Sequence, residues 1–465
     1  MLHSYKKTLA YKLHITNLFY YYDKGDTMKN LGTKILLFFT TLLIPSISFA
    51  DAGTAAVQKI SAGDTSFVLV ATALVMLMTP GLALFYGGMV RRKNVLATIM
   101  QSFILLAVIS VQWVVFGYSL AFGPDVHGII GSLAWFGLNH VGLAPDPAYA
   151  STIPNQAFMI FQMMFAIITP GLITGAFAER MKFSTFVLFA ILWSTLVYDP
   201  VAHWVWGAGG WLRSMGILDF AGGLVVHLSS GIAALAAVIV IGKRHHYGKE
   251  AYMPHNLTMT LLGTALLWFG WFGFNAGSAL SAGALATTAF VATNVAGAAG
   301  TLGWVVFEWM KKGKPTILGA ASGAVAGLAT ITPASGFVSP IAALIIGFVA
   351  GGVCYYTVNL KFKFGYDDAL DVVGVHGVGG VLGVLLTGLF ASLAVNAAGA
   401  NGLLFGNSKQ FVVQLIGVLA ITAYSFIATV VILKVLDMVM GLRVTREEEI
   451  SGLDVAQHGE EGYNM

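Results

Sequence analysis

Long apolar runs separated by short polar segments dominate the chain beyond Asp51. A run needs about 20 residues to cross, as an α-helix, the roughly 30 Å of hydrocarbon in a bilayer. Such runs predict eleven helices near residues 66–90, 95–121, 156–178, 183–206, 221–241, 256–276, 284–309, 316–332, 338–359, 371–394 and 411–440. Pro80 and Pro170 lie inside runs, where membrane helices tolerate a kink because neighbouring groups satisfy the freed carbonyl. The pattern predicts an all-α polytopic membrane protein.

The composition supports this class. Of 465 residues, 57% are hydrophobic and 10% are charged, whereas a soluble domain carries about 25% charged residues. The net charge of +4 is too small to indicate a nucleic-acid-binding surface. The single cysteine, Cys354, excludes an intramolecular disulfide bond and a thiolate metal cluster. We therefore expect neither nucleic acid nor a metal as a partner.

The amino-terminal segment has the parts of a secretory signal peptide. Residues 28–50 have a basic start, an apolar stretch and a small-residue end, which predicts cleavage after Ala50. The alternative is a first membrane helix, although the stretch is short and is broken by Pro45. Residues 1–27 fit neither a signal nor a span, so they are an extension and Met28 is an alternative start.

Positive charges lie on alternate loops, and this asymmetry predicts the orientation. Loops after the odd-numbered helices carry thirteen lysines and arginines, against two on the opposite loops, Arg213 and Lys409. The thirteen are Arg91, Arg92, Lys93, Arg180, Lys182, Lys243, Arg244, Lys249, Lys311, Lys312, Lys314, Lys361 and Lys363. We therefore expect these loops and the tail, residues 443–465, in the cytoplasm, with the amino terminus of the membrane domain outside.

An aspartate and a histidine repeat at the starts of the fifth and tenth helices. Asp219 precedes His227 by eight residues, and Asp368 precedes His376 by the same spacing. Because these helices enter from opposite faces, each histidine lies about 12 Å of helix rise inward, and the two should meet near the midplane. The spacing predicts two five-helix inverted repeats, about 64–244 and about 254–394, plus a last helix at 411–440. A chance pair is the alternative.

The two histidines, His227 and His376, are the leading candidates for function. Ionisable side chains in a membrane are costly and usually face a pathway or a partner. As neutral imidazoles they could hydrogen-bond a small polar molecule or pass on a proton. Structural hydrogen bonds between helices remain an alternative, and a bis-histidine haem site would need more room.

Several aspartates lie near the ends of spans. Asp219 and Asp368 each precede a helix, where a carboxylate caps free N–H groups and is stabilised by the helix dipole. Capping is the first interpretation, and lowering the cost of bringing a cation to a pathway is an added function. The pattern assigns no role to Asp199 or Asp371.

Aromatic side chains cluster where the fourth, third and sixth helices approach the outer face. Trp206 ends the fourth helix, Phe161 and Phe165 are one turn apart on the third, and Phe274 and Trp271 close the sixth. A cation that loses water can be held by ring faces, at about 0.5–2 kcal/mol each. Interfacial anchoring is the alternative.

Several stretches of the sequence together resemble one family, the ammonium transporters of the Amt/Mep/Rh group, and specifically its bacterial Amt branch. They cover most of the chain beyond Asp51, and they are 178–180, 219–244, 270–278, 374–377, 441–444, 452–454 and 458–460. The resemblance implies an outer ammonium site of Trp206, Phe161 and Ser278.

The resemblance also implies the layout below that site. Phe165 and Phe274 would form a gate, with Trp271 in support. Beneath it, His227 and His376 would be the twin histidines of a hydrophobic pore. Asp219 would be the aspartate needed for transport.

Three partners follow from the resemblance: ammonium with methylammonium as an analogue, two further copies of the chain in a homotrimer, and a PII-type signalling protein on the cytoplasmic face. The location would be the cytoplasmic (inner) membrane. No cofactor is implied.

The predicted function is therefore transport. Ammonium is held at Trp206 and Ser278, loses its proton near Asp219 and crosses as ammonia through a dry pore past the two histidines, with a separate proton relay through these histidines as an added possibility. Ammonium and potassium ions are similar in size, but only ammonium donates hydrogen bonds or sheds a proton. The alternative is an ammonium sensor that signals through its cytoplasmic face. An enzyme is not expected, since the sequence shows no nucleophile–base pair or phosphate-binding loop. The acidic run at 447–449 is expected to be a solvated helix face, with partner docking as the alternative.

Overall fold

The computed structural model describes residues 59–463. The predicted signal peptide at 28–50, its cleavage site and the extension at 1–27 lie outside the described residues. These three features therefore stay predictions.

Eleven apolar helices make up the described part of the chain. Ten are long and apolar enough to cross a membrane, and the eleventh, α8, is shorter. The helices are α1 Ala62–Met89, α2 Arg92–Phe122, α3 Asn155–Thr174, α4 183–206, α5 Gly223–Ile241, α6 Leu257–Gly277, α7 Ala284–Lys312, α8 Ile317–Ile331, α9 Pro340–Phe364, α10 Val373–Phe390 and α11 Ser408–Met440. The predicted all-α polytopic fold is confirmed.

Short helices and strands lie at the two ends of the bundle. At the end where α2 finishes, a two-residue hairpin pairs β1 (Asp125–Val126) with antiparallel β2 (Ile130–Gly131), and a short helix at Trp211–Met215 follows α4. At the other end the tail forms α12, Arg446–Ser451. We call the end that carries the arginine- and lysine-rich loops and α12 the basic end, and the other the opposite end.

Helix α3 lies at the centre of the bundle. In the most apolar stretch of α3, 94% of the residues are buried, whereas in that of α11 only 33% are. Pro170 lies within α3 and Pro80 within α1, and both helices continue through the proline. A helix surrounded by protein on all sides is suited to line a pathway, because its side chains face other helices rather than lipid.

Helices α5 and α10 share an unusual start. Each opens with a π-helical segment, Gly223–Leu228 in α5 and Val373–Val378 in α10, and each segment contains the helix's histidine. Such wide turns are rare and frequently occur at functional sites. The shared geometry supports the predicted equivalence of the two halves.

Helices α5 and α10 cross in opposite directions at very close range. The backbone of Leu228 lies beside Gly380, and that of Gly231 lies beside Gly377. Moving along α5 from Leu228 to Gly231 corresponds to moving along α10 from Gly380 back to Gly377, so the two helices are antiparallel. A Cβ atom at Gly231 would overlap the backbone of α10. Glycine is required there because the two backbones touch.

Candidate functional site

The structure brings His227 and His376 together in the interior. Their Nδ1 atoms are 3.2 Å apart, and the ring centroids are 5.2 Å apart with the planes tilted by 20°. Both side chains are buried. The meeting of the two residues, expected from equal spacing on opposed helices, is thus what the structure shows, and one hydrogen bond joins the two imidazoles.

Asp219 fixes the start of α5. Its two carboxylate oxygens accept hydrogen bonds from four backbone N–H groups, those of Gly222, Gly223, Leu224 and Val225, at 2.6–3.2 Å. A carboxylate at this position satisfies orphan donors of the helix and is stabilised by the helix dipole. Asp219 is buried and therefore acts as a fixed negative group rather than a mobile one.

Asp368 caps α10 less completely. Its Oδ2 accepts the backbone N–H of Val373 at 2.8 Å, and its Oδ1 has no hydrogen-bond partner within residues 59–463. Lys361, near the end of α9, contacts the neighbouring carboxylate of Asp371. Asp371 thus forms an ion pair at the basic end, a role that the sequence pattern did not supply.

Asp199 lies apart from the histidines, in the interior of α4. Its Oδ2 accepts a hydrogen bond from the side-chain amide of Gln112 on α2 at 2.7 Å. Among the described residues, its other oxygen has no partner. The contact links two helices and does not reach the cavity described below.

Four aromatic or imidazole rings form a continuous row from the opposite end to the histidines. Phe165 is central: its ring centroid is 5.9 Å from that of Trp206, edge to face, and 4.2 Å from that of Phe274. The Phe274 ring in turn lies 6.1 Å from that of His227, nearly parallel to it. Phe165 and Phe274 are fully buried and pack against one another, so nothing polar separates them.

The three residues expected at an outer site differ in exposure. Trp206 and Ser278 are partly exposed, whereas Phe161 is fully buried and packs edge-on against Phe165 at 5.0 Å. Ser278 donates its hydroxyl hydrogen to the carbonyl of Phe274 at 2.8 Å, so its oxygen is left to accept. The Trp206 indole is fixed by an N–H bond to the carbonyl of Asp219 at 2.9 Å.

Beyond the Phe165–Phe274 pair lies a narrow internal cavity. Apart from the two histidines, its walls are apolar or aromatic. The lining residues are Met78, Leu82, Phe85, Ile168, Leu172, Val226, His227, Leu267, Trp271, Phe274, Val325 and His376. An apolar cavity disfavours a bare cation strongly, because a charge leaving water needs compensating partners. A small neutral molecule could hydrogen-bond to the imidazoles.

Thr332, which directly follows α8, joins this site although the sequence analysis did not single it out. Its Oγ1 accepts the indole N–H of Trp271 at 2.9 Å and lies 3.3 Å from Nε2 of His227. Trp271 also lies against the His227 ring, with centroids 5.5 Å apart. A threonine beside Pro333 at a helix end is an ordinary pattern, so no sequence signal distinguished it.

A buried ion-pair network ties the basic end together. Glu179 contacts Arg91 and Arg244 at 3.0 Å each and accepts the Asn94 amide N–H at 2.9 Å, while Arg244 also pairs with Asp367 at 2.8 Å. Burial alone would raise the pKa of Glu179, but the two arginines hold that pKa below its ordinary value. The network connects four loops that follow α1, α3, α5 and α9.

The acidic run of α12 is only partly solvated, which corrects the expectation of a solvated helix face. Glu447 is exposed and Glu448 is half-buried, but Glu449 is buried. Its carboxylate pairs with Arg443 at 2.7 Å and accepts the backbone N–H of His245 at 2.7 Å. The ion pair explains the burial, because a partnered carboxylate avoids the cost of an isolated charge.

The fold and the site define a multi-pass membrane protein whose helices enclose a narrow apolar cavity lined by two histidines. The chain belongs to the Ammonium Transporter Family, whose sequence model matches residues 66–463. The family resemblance inferred from the motifs is therefore confirmed.

Relatives and solved structures agree with this assignment. The chain is 56% identical over 402 residues to the ammonium transporter of Bacillus subtilis (strain 168), covering 86% of this chain and 98% of that protein. The crystal structure of Candida albicans Mep2 is similar, with TM-score 0.80, 39% identity and coverage of 87% of this chain and 91% of that one. A structure titled "Sensor Amt Protein" is also similar, with TM-score 0.78, 30% identity and coverage of 85% and 98%.

Proposed function

We propose that the protein transports ammonium across a membrane by recruiting the cation at its opposite end, removing a proton and conducting ammonia past the twin histidines. The family and the names of its relatives, which are transporters rather than enzymes, support ammonium transport. The observation that carries the mechanism is the hydrogen-bonded pair His227–His376 in a cavity otherwise lined by apolar and aromatic side chains.

Recruitment falls to Trp206 and Ser278, with Phe161 beneath them. The partly exposed indole offers a ring face to a cation, and the Ser278 oxygen offers an acceptor because its hydrogen is committed to Phe274. Ammonium can satisfy both contacts, whereas potassium cannot donate to the serine. The cation–π contact contributes about 0.5–2 kcal/mol.

The burial of Phe165 and Phe274 and the apolar cavity beyond them account for the gate and for the loss of a proton by ammonium. The closely packed Phe165 and Phe274 must move apart for any molecule to pass. A charged ammonium beyond them would lie in an apolar cavity, so losing the proton before entry lowers the barrier. Asp219 stabilises the cation by its fixed charge. It is not the proton acceptor, because its oxygens already accept four N–H groups. The proton passes instead to solvent water at the outer site, where Trp206 and Ser278 are partly exposed.

Inside the cavity, the imidazoles supply ring nitrogens that can accept a hydrogen bond from ammonia without carrying a fixed charge. Trp271 supports His227 by packing against its ring. On the side of the basic end, Asp368 and the helix that it caps, α10, play the part that Asp219 and α5 play on the other side.

Orientation and assembly belong to the same proposal. The excess of lysine and arginine supports a cytoplasmic basic end in the cytoplasmic (inner) membrane. The family resemblance supports a homotrimer, and a PII-type protein would bind at the basic end.

Reconstituted protein tests this function. Proteoliposomes on a solid-supported membrane are pulsed with ammonium and then with potassium, with protein-free liposomes as the control. A sustained ammonium-specific current supports transport with net charge movement, and internal alkalinisation without current supports electroneutral ammonia conduction.

The similarity to the sensor structure makes a sensor the second candidate. Saturable ammonium binding without current and without alkalinisation would favour the sensor and overturn the transport proposal. Absence of binding as well would contradict both.

A further inference from the structure

Thr332 holds its hydroxyl oxygen where three hydrogen-bonding groups converge. Its Oγ1 lies 2.8 Å from the carbonyl oxygen of Leu328, 2.9 Å from Nε1 of Trp271 and 3.3 Å from Nε2 of His227. Thr332 is fully buried. A hydroxyl has one hydrogen to donate and two lone pairs with which to accept. The chemistry of the three neighbours therefore decides which way each bond runs.

Two of the three bonds have only one possible direction. Two oxygens 2.8 Å apart need a hydrogen between them, and a carbonyl has none, so the Thr332 hydroxyl donates to Leu328. The indole nitrogen of Trp271 can only donate, so Thr332 accepts from it. The single hydroxyl hydrogen is then used, and the remaining lone pair faces His227.

We infer that Thr332 fixes the tautomers of the twin histidines: His227 carries its hydrogen on Nε2, and His376 carries its hydrogen on Nδ1. The first assignment follows because Nε2 of His227 meets an oxygen that can now only accept. A neutral imidazole has one N–H, so Nδ1 of His227 is an acceptor. The 3.2 Å contact between the two Nδ1 atoms then requires His376 to donate.

The assignment makes the pair chemically asymmetric. Both nitrogens of His227 are occupied, one by Thr332 and one by His376. Nε2 of His376 is left as an unprotonated acceptor, and within residues 59–463 no protein group hydrogen-bonds to it. His227 is the ring next to the gate residue Phe274. A molecule that passes the gate thus meets its hydrogen-bond acceptor at the second histidine.

This inference rests on the proposed function for its consequence, though not for its chemistry. Ammonia carries N–H donors and would donate to Nε2 of His376. Thr332 is a positioning residue: it acts through His227 and does not line the cavity.

Nitrogen NMR on the full chain in lipid, labelled with ¹⁵N-histidine and free of ammonium, tests the assignment directly. The ¹⁵N–¹⁵N correlation across the Nδ1–Nδ1 bond selects these two rings from the eleven histidines. The His227→Gln and His376→Gln variants each remove the signals of one ring, and this assigns the two partners. We expect the protonated partner to be His376 and Nε2 of His227 to be protonated. A protonated Nδ1 on His227 would overturn the inference.

Variants distinguish the effect of the Thr332 hydroxyl on the tautomers from an effect on packing. Thr332→Val keeps the shape and removes the oxygen, so both tautomer orders should appear, while Thr332→Ser should keep the wild-type spectrum. Thr387→Val is the matched control, since Thr387 is equally buried and makes a bond to the carbonyl four residues earlier. An unchanged spectrum in Thr332→Val would show that Thr332 does not fix the tautomers.

Transport gives a second readout. Losing one buried hydrogen bond changes rates about fivefold, so ammonium uptake should fall by about that factor in Thr332→Val and stay near wild type in Thr332→Ser and Thr387→Val. A wild-type protein that shows the expected tautomers but no transport would contradict only the proposed function. Normal transport with the opposite tautomers would contradict only the role of Thr332.

Discussion

The indole N–H of Trp206 donates to the backbone carbonyl of Asp219 at 2.9 Å, so the aromatic residue of the proposed outer site is attached to the residue that caps α5. Asp219 in turn fixes four backbone N–H groups at the start of the helix that carries His227. The outer site and the histidine pair therefore share one rigid connection. A change at Asp219 should affect both.

Replacing Asp219 by Asn tests this connection. The amide keeps one acceptor oxygen and turns an NH₂ group towards backbone donors, so the charge and part of the cap are lost. We expect ammonium uptake to fall by at least about tenfold, and the free energy of unfolding to fall by about 1–2 kcal/mol. Uptake into proteoliposomes and thermal unfolding measure the two effects.

Asp368→Asn is the matched control for Asp219→Asn, because the Asp368 carboxylate accepts a single hydrogen bond, from the backbone N–H of Val373 in α10. Its effect on stability should be clearly smaller. Equal losses in the two variants would contradict the special position of Asp219.

Replacing His227 by Asp places a carboxylate in the apolar cavity. A charged side chain at the centre of a membrane costs about 3 kcal/mol and attracts a counter-cation. We expect neutral ammonia conduction to be lost or potassium currents to appear, as measured on solid-supported membranes. His140→Asp, at an exposed loop position, is the control and should behave like wild type. Unchanged ammonium-specific uptake in His227→Asp would refute the twin-histidine pathway.

The architecture and the histidine pair could be predicted from the sequence because each rests on a local pattern. The length of an apolar stretch is enough to predict a membrane helix. The equal Asp-to-His spacing on opposed helices predicted that His227 lies beside His376. The proposed gate residue Phe274 followed from motif resemblance, and its packing against Phe165 needed the structure.

Residues whose partners come from distant segments could not be found in this way. Thr332 bonds to Trp271, which is 61 residues away in sequence, and nothing in its neighbourhood indicates this. Glu449 belongs to an acidic run that resembles a solvated face, yet it is buried by Arg443 and the loop at His245. Tertiary pairing decided both cases, and a single sequence does not record it.

Replacing Trp206 by Leu removes the partly exposed ring of the proposed outer site and its bond to Asp219. A cation–π contact of about 0.5–2 kcal/mol corresponds to about a two- to thirtyfold change in apparent affinity. We therefore expect KM for methylammonium uptake to rise within that range while the maximal rate changes less. Trp309→Leu is the control, since Trp309 is 58% exposed at the basic end. A fall in maximal rate with an unchanged KM would show that Trp206 does not recruit the cation.

Glu179 should make stability depend on pH in the acid range. Its folded-state pKa is held below the ordinary value of 4.5. The stabilisation from its arginine partners is therefore fully present above pH 4.5 and is lost as the pH falls through the folded-state pKa. Thermal unfolding in detergent between about pH 3 and pH 7 should show the wild type losing stability at the acid end.

The variant Glu179→Gln cannot pair with Arg91 and Arg244 as a charge. It should be less stable than wild type by about 3–5 kcal/mol at neutral pH, because removing one partner leaves buried charge uncompensated. The gap between variant and wild type should narrow as the pH falls. Glu461→Gln, at an exposed position of the tail, should leave the profile unchanged. A constant gap at all pH values would mean that the pKa of Glu179 is the same in the folded and unfolded states, and that the ion-pair network does not hold the basic end together.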